Sequence, residues 1–155
     1  MKKTIYLVRH AHPMPRHMDP HRGLSEEGWK EAIEVTEKLT SLSIVAIGRI
    51  FHSGKLRAQQ TAEIIGERLL PLNGLHEVPG LMPHDDIDPW VDELADAEPG
   101  TMLVGHMPFM AFLRNRLTGE PFRPFVTAEV TCLESGDDGN WVEKWNIFPR
   151  SVNLS

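Results

Sequence analysis

The sequence is poor in cysteine, in aromatic residues and in excess positive charge. Of its 155 residues, one is a cysteine and 7% are aromatic. A single cysteine, Cys132, excludes an internal disulfide and a zinc site built from several thiolates. We expect it to be a buried small hydrophobic residue. The formal net charge of −6 argues against a general binder of nucleic acids or anionic membranes, because such proteins present a basic face.

Long apolar runs are also missing. None approaches the ~18 residues that a membrane-spanning helix needs, and the first residues lack the apolar core and cleavage site of a signal peptide. Apolar residues make up 41% of the chain and charged residues 25%, which is ordinary for a globular protein. We therefore expect one domain over residues 1–155, located in the cytoplasm.

What the sequence has is an alternation of β-rich apolar runs with segments of helical periodicity. The predicted strands are Thr4–Val8, Ile44–Phe51, Thr101–Val104, Val126–Leu133 and Trp141–Ile147. The predicted helices are one capped by Ser25, then Arg57–Leu70, Trp90–Ala97 and Pro108–Leu117. This order predicts a three-layer α/β/α domain with a mostly parallel central sheet. The turn at Ser135–Asn140 adds an antiparallel hairpin at its end.

Helical spacing also predicts which side of the first helix is buried. The residues that recur at this spacing are Trp29, Ala32, Ile33, Thr36 and Leu39. A face of this kind packs on the sheet. We expect Trp90, Met107 and Met110 to be core or pocket wall as well.

Polar residues with chemical potential follow three of the predicted strands. The first strand leads into Arg9 and His10, the second into His52 with Arg57 shortly after, and the third into His106. Ligands of open α/β sheets bind outside the carboxyl ends of the strands, so these side chains should converge. Arginine forks match phosphate oxygens, and a helix that begins after His106 adds an anion-binding end. The sequence thus predicts a cationic pocket for a phosphoryl group.

Such a pocket also allows catalysis. A neutral histidine can attack phosphorus, and nearby arginines lower the pKa of a histidine. Two arginines and a second histidine can stabilise the transition state without a metal ion or other cofactor. A glycine-rich loop of the ATP-binding type, with its Lys-Ser/Thr pair, is missing from the sequence.

Four ordered segments resemble the histidine phosphatase, or phosphoglycerate-mutase-like, superfamily. They are LVRHAHP (Leu7–Pro13), RGLSEEG (Arg22–Gly28), HSGKLRAQQTAEII (His52–Ile65) and VGHMPFM (Val104–Met110). The resemblance extends over the whole chain. The short length and the RGLSEEG and Gly-His-x-Pro elements are similar to the small SixA-type phosphohistidine phosphatases.

The resemblance implies roles for particular residues. His10 would be the nucleophile that forms a phosphohistidine intermediate. Arg9 and Arg57 would hold the phosphoryl oxygens, and His106 would complete the pocket. Arg22 would also reach the phosphate. The implied substrate is a phosphoryl compound, most plausibly a protein that carries phosphohistidine.

Two features depart from the family pattern or leave it incomplete. Ala11 stands where the signature has glycine, which is harmless if its φ is negative. Many members use a carboxylate as general acid on an inserted segment. Here the nearest candidates are Asp85 and Asp86, with His84 as a third. A phosphohistidine leaving group can depart already protonated, so a dedicated acid can be dispensable.

Other readings remain open from sequence. The same pocket could serve small phosphomonoesters, or bind phosphate or phosphoproteins without turnover; a mutase is disfavoured because it needs a closed pocket. The histidines His12, His17 and His21 have ligand-like spacings. We expect no metal there, since no carboxylate or thiolate motif completes a ligand set and Arg9 opposes a cation beside His10.

Overall fold

The computed structural model describes residues 2–42 and 45–154, and side chains as far as residue 150. The strands are β1 (Lys3–Arg9), β2 (Arg49–His52), β3 (Leu75–Glu77), β4 (Thr101–Gly105), β5 (Val130–Ser135), β6 (Trp141–Phe148) and β7 (Ser151–Leu154). The helices are α1 (Glu26–Ser41), α2 (Leu56–Leu69), α3 (Asp88–Asp96) and α4 (Phe109–Thr118). Within the described residues, no helix is long and apolar enough to cross a membrane.

All seven strands form one sheet in the order β3-β2-β4-β1-β5-β6-β7. The neighbours from β3 to β1 pair in parallel, and β5, β6 and β7 each pair antiparallel with the strand before them in this order. The predicted α/β fold with parallel strands at its centre is confirmed. The short strands β3 and β7 were not predicted.

Helices cover both faces of the sheet. In β1, Tyr6 and Val8 pack into the core beneath α1 and α2, whereas Ile5 and Leu7 pack into the core beneath α3 and α4. This alternation is the period of two that a strand imposes on its side chains. Because both faces are covered, β1 reads in the sequence as one continuous apolar run. The three-layer arrangement is therefore as expected.

The predicted cap of α1 is confirmed, and the predicted buried face is correct for Ala32, Thr36 and Leu39 but wrong for Trp29 and Ile33. The Ser25 side chain accepts a hydrogen bond from the Gly28 backbone N–H at 3.0 Å. The face contains Val35, which is 1% exposed, whereas Trp29 is 42% and Ile33 47% exposed. The smaller side chains of α1 pack against α2. The larger side chains of Trp29 and Ile33 lie at the edge of this contact.

Two predicted strands are shorter than expected. Strand β2 begins only at Arg49, where its register with Thr101 of β4 begins; Ile44, the predicted start, lies outside the described residues. Strand β5 begins at Val130 rather than Val126, which is 48% exposed. The residues just before β5 turn instead, with Ala128 in the left-handed region at φ 61°. Their backbone groups form hydrogen bonds with residues of the site described next.

Candidate active site

The three strand ends meet at one edge of the sheet because β4 lies between β1 and β2. In the register, Arg9 of β1 is level with Gly105 of β4, and His52 of β2 is level with Val104. The backbone N–H of His10 donates to the Gly105 carbonyl at 3.0 Å. The ring centroids of His10 and His106 are 5.1 Å apart. The predicted convergence of these strand ends is thus observed.

The imidazole of His10 is buried and held in one orientation. Its Nδ1 lies 2.8 Å from the carbonyl oxygen of Ala11. A carbonyl only accepts hydrogen bonds, so Nδ1 carries the proton and the lone pair of a neutral ring is on Nε2. Burial lowers the pKa of His10 to about 4; the Ala11 bond opposes this, and nearby arginine charges, that of Arg57 foremost, lower it further. The ring is therefore neutral at pH 7, chiefly because of burial rather than because of the arginines alone.

His106 faces this ring from the end of β4. It is 1% exposed, and its Nε2 lies 2.6 Å from Oγ of Ser53. Burial lowers its pKa to about 3, followed by the effects of His10 and Arg57. Among the atoms that the structure describes, Nδ1 of His106 is buried without a hydrogen-bond partner. With the Ser53 hydroxyl donating to Nε2, Nδ1 carries a proton that it can donate to a ligand oxygen.

The arginines come from three different elements. Arg9 at the end of β1 donates from Nη1 to the Phe125 carbonyl at 2.7 Å, and its Nε is another buried atom without a partner in the described part of the chain. Arg57 lies in the first turn of α2, which contains no acidic residue and has no side-chain cap. Arg22 adopts the left-handed region at φ 51°, and its Nε donates to the Met14 carbonyl at 3.2 Å.

A cavity of about 580 Å³ lies between two of these arginines and the surface loops, and in the described part of the chain Arg9, His10 and His106 are not among its lining residues. Arg22 and Arg57 line it, and both lie near enough to His10 to lower its pKa. The remaining lining residues are Arg16, Pro20, His21, Gly54, Lys55, Leu56 and Gln59. Positive side chains and the first turn of a helix on one wall suit an oxyanion.

Two side chains that the sequence reasoning did not single out fix the loop after β1. Thr61 of α2 accepts a hydrogen bond from the buried Ala11 N–H at 3.0 Å and donates to the Arg57 carbonyl at 2.8 Å. Glu31 of α1 accepts from the His12 N–H at 2.8 Å and from the Thr127 hydroxyl at 2.8 Å. Thr61 belongs to the Gln-Thr-Ala segment of the motif, which was the available signal.

The same loop explains two sequence features. Ala11 does not have a positive φ, since the non-glycine residues with that conformation in the described chain are Arg22, Leu70, Ala128 and Arg150. Alanine in place of the signature glycine is therefore unstrained. Gly28 packs against the loop so closely that a Cβ there would overlap the carbonyl oxygen of His12. This glycine allows the start of α1 to support the loop that carries His10.

The candidate general acids lie in the loop before α3. Asp85 and Asp86 line a second cavity of about 430 Å³ with His84 and residues of α4. The Asp85 carboxylate accepts from the Met82 N–H at 2.9 Å, and that of Asp86 accepts from the Asp88 N–H at 3.0 Å. Of the residues described, neither aspartate lines the cavity of Arg22 and Arg57.

The histidine-rich N-terminal segment forms local contacts. His12 Nδ1 lies 2.7 Å from the Ser25 hydroxyl, at the cap of α1, and His21 lines the first cavity. His52, at the end of β2, accepts a hydrogen bond at its Nδ1 from the Gly54 N–H at 3.1 Å, a structural role. In the ranges that the structure describes, no group of three or more His, Cys, Asp or Glu residues is arranged to hold a metal ion.

Comparison with known proteins relates this geometry to a family. A family model described as histidine phosphatase superfamily (branch 1) matches residues 5–82, just over half of the chain. The phosphohistidine phosphatase SixA of Escherichia coli K12 is 25% identical over 157 positions, which cover 97% of each protein. The structure of the protein histidine phosphatase SixA complexed with tungstate has a TM-score of 0.84 at 24% identity, covering 94% of this chain and 97% of that one.

The fold is also shared with a mutase. Phosphoglycerate mutase from Plasmodium falciparum matches with a TM-score of 0.70 at 23% identity, covering 92% of this chain and 89% of that one. The resemblance read from the four sequence motifs is therefore confirmed. The chain belongs to the histidine phosphatase superfamily (branch 1) and is an enzyme of this hydrolase family.

Proposed function

We propose that this enzyme is a metal-independent phosphatase that dephosphorylates phosphohistidine on a protein through a phosphohistidine intermediate on His10. The observation that carries the proposal is the state of the His10 ring. Its Nδ1–H is bound to the Ala11 carbonyl, and its pKa of about 4 keeps Nε2 unprotonated at neutral pH. A fixed, neutral imidazole beside arginines is suited to attack on phosphorus.

The reaction has two in-line steps. First, the lone pair of His10 Nε2 forms a bond to phosphorus as the bond from phosphorus to the substrate nitrogen breaks. The leaving imidazole departs as a neutral ring when its other nitrogen already carries a proton, so no dedicated acid is required. Second, water attacks the phosphorus, the bond to Nε2 breaks, and inorganic phosphate and a proton are released.

The charge of the transferred phosphoryl group is met by three kinds of donor. The partnerless Nε of Arg9 and Nδ1 of His106 are buried donors that phosphoryl oxygens would satisfy. Arg57 adds a fork that can bind two oxygens at once. Preorganised donors of this kind stabilise charge in the transition state without the cost of reorganisation, and together they supply the electrostatic role that a metal ion has in other phosphoryl-transfer enzymes.

The choice of a protein substrate has two supports. The cavity rim is formed by exposed side chains, those of Arg16 and His21 among them, which a folded partner can contact. The E. coli relative, 25% identical over almost its whole length, is named a phosphohistidine phosphatase. Tungstate, present in the related structure, is a tetrahedral oxyanion like phosphate.

The test is hydrolysis of a substrate panel in EDTA. The panel holds a histidine-phosphorylated protein, an aryl phosphate and several sugar phosphates, each with wild type, His10→Ala and the control His17→Ala, which changes an exposed loop histidine. We expect phosphohistidine to be the best substrate and His10→Ala to lose activity and the acid-labile phosphoenzyme. Turnover of small phosphomonoesters alone would reject the protein substrate. Full activity of His10→Ala, or loss of activity in EDTA, would reject the mechanism.

A further inference from the structure

The cavity beside His10 carries more positive charge than one phosphoryl group requires. Arg16, Arg22, Lys55 and Arg57 all line it, in a protein whose net charge is −6. The charges are close enough to affect one another: burial is the largest cause of the lowered pKa of Arg57, and the charges of Arg22 and Arg16 lower it further. Lys55 in turn contributes to the lowered pKa of His106.

These four side chains lack carboxylate partners. Within the part of the chain that the structure describes, none of them forms an ion pair within 4.0 Å, whereas cations elsewhere do. Examples are Arg49–Glu98 at 2.9 Å, Arg114–Glu143 at 2.6 Å and Arg116–Asp88 at 2.7 Å. An unpaired surface cation is ordinary by itself. Four around one cavity next to a reactive histidine form a field for an anion.

The acid that lies on the same loop does not neutralise this field through an ion pair. Asp19 accepts hydrogen bonds from the backbone N–H groups of His21 at 3.0 Å and Gly23 at 2.9 Å. Its carboxylate therefore shapes the loop that carries Arg16 and Arg22.

Counting charges separates the cations into two sets. A phosphoryl group carries about −1.5 to −2 at pH 7. Arg9 and Arg57, with Arg22, already provide up to three positive charges for it. Arg16 and Lys55 remain, on two different segments of the cavity wall: Arg16 on the loop after β1, and Lys55 just before α2.

We propose that Arg16 and Lys55 bind a second anionic group of the substrate, namely Asp or Glu side chains that flank the phosphohistidine on an acidic protein surface. This inference rests on the proposed function and names its substrate class. A net-acidic enzyme gains little from long-range attraction to an acidic partner, so the recognition is local to the cavity mouth. Raising the salt concentration should weaken it, since the rim side chains are accessible to solvent.

The experiment compares two phosphohistidine peptides of identical length. One has Asp and Glu beside the phosphohistidine, and the other has Asn and Gln at the same positions. We expect wild type to have a kcat/KM about 5- to 10-fold higher for the acidic peptide, the size of two partly exposed ion pairs. In Arg16→Gln/Lys55→Gln the kcat/KM values for the two peptides should become about equal. The preference should persist in Arg68→Gln, which removes one positive charge from the exposed end of α2.

The outcomes separate this inference from the proposed function. Equal kcat/KM for both peptides in wild type, or a preference that survives in the double variant, overturns the inference alone. Hydrolysis of neither peptide overturns the proposed function and the inference with it. A bisphosphorylated small molecule preferred over both peptides, with that preference lost in the double variant, assigns the two cations to a small-molecule subsite and overturns the protein partner.

Discussion

Oγ of Ser53 lies 2.6 Å from Nε2 of His106, so the end of β2 fixes the ring that follows β4. The Ser53 hydroxyl also accepts a hydrogen bond from the Lys55 N–H at 3.3 Å. The hydroxyl can donate its one proton to Nε2 while it accepts from Lys55, and a neutral His106 ring then carries its own proton on Nδ1. In that arrangement Ser53 is a positioning residue that selects the tautomer of His106.

Replacing this serine should reduce catalysis more than binding. In Ser53→Ala the buried Nε2 loses its partner, a change that costs about 1–3 kcal/mol, and the tautomer is no longer selected. We expect kcat to fall about tenfold, with a smaller change in KM, measured with an aryl phosphate. Ser41→Ala, which removes an exposed hydroxyl bonded to the Lys38 carbonyl, should behave as wild type. An unchanged kcat in Ser53→Ala would show that His106 needs no support from β2.

The pKa of His10 predicts that this side chain becomes protonated only at a pH well below the usual range for histidine. Because burial lowers this pKa to about 4, the ring should remain neutral down to that pH. NMR titration of the histidine resonances should give a midpoint near 4 for the signal that is lost in His10→Gln. A midpoint near 6.5 would contradict the buried site.

The same shift makes stability depend on pH with a defined sign. An unfolded histidine binds a proton below about pH 6.5, while folded His10 stays neutral until about pH 4. The unfolded state then binds more protons, so the free energy of unfolding falls as the pH drops from 6.5 to 4. Urea unfolding across this interval should show a smaller decrease in His10→Gln than in wild type.

Thr61 is expected to support the His10 loop from beneath. Thr61→Val keeps the shape of the side chain but leaves the buried Ala11 N–H without its acceptor, at a cost of about 1–3 kcal/mol in the free energy of unfolding. We also expect a several-fold loss of kcat, because the loop loosens. Thr40→Val is the matched control, since the Thr40 hydroxyl donates to the carbonyl four residues earlier on a helix, as that of Thr61 does. Equal losses of stability and kcat in the two variants would show that the effect of Thr61→Val does not come from its contact with the His10 loop.

Arg22 combines a strained backbone with a place in the cavity. A non-glycine residue at φ 51° costs about 1–2 kcal/mol, which glycine avoids. We expect Arg22→Gly to be about 1 kcal/mol more stable than Arg22→Ala in urea unfolding, while both lose kcat/KM to a similar extent. Wild-type activity in both variants would contradict a role for the guanidinium in holding the phosphoryl group.

The aspartates in the second cavity should be dispensable for phosphohistidine. Asp85→Asn and Asp86→Asn keep an oxygen for the N–H groups of Met82 and Asp88, so the loop should persist. We expect kcat/KM for a phosphohistidine substrate to change less than about threefold, because the leaving ring is a good leaving group without help. A large loss together with a displaced basic limb of the pH–rate profile would identify one of them as the general acid.

The sequence predicts the placement of candidate site residues well where a strand ends at or next to such a residue. Apolar runs that stop at Arg9, His52 and Gly105 predict parallel strands, and parallel strands in one sheet bring such ends together. The Ser53–His106 contact was not predictable in this way, since it depends on the register between β2 and β4, which α2, β3 and α3 separate along the chain.

The predicted start of β5 is wrong because backbone groups there form hydrogen bonds with site residues instead of with a neighbouring strand. The predicted strand began at Val126, yet just before it the Phe125 carbonyl accepts from Arg9, and within it the Ala128 N–H donates to the His10 carbonyl at 3.2 Å. Glu129 is buried and pairs with Arg123 at 2.9 Å. β-Strand propensity reflects how well a residue fits a half-buried pleated surface. It carries no information on these distant hydrogen-bond and ion-pair partners.

The central position of β4 determines when the chain becomes reactive. During synthesis β1 and β2 are made first, but the strand that separates them in the sheet begins only at Thr101. Until it is inserted, His10 has neither its neighbouring ring nor the Gly105 carbonyl that receives its N–H. We therefore expect a chain that has not yet placed β4 to lack activity, and the return of activity during refolding should report the insertion of β4 between β1 and β2.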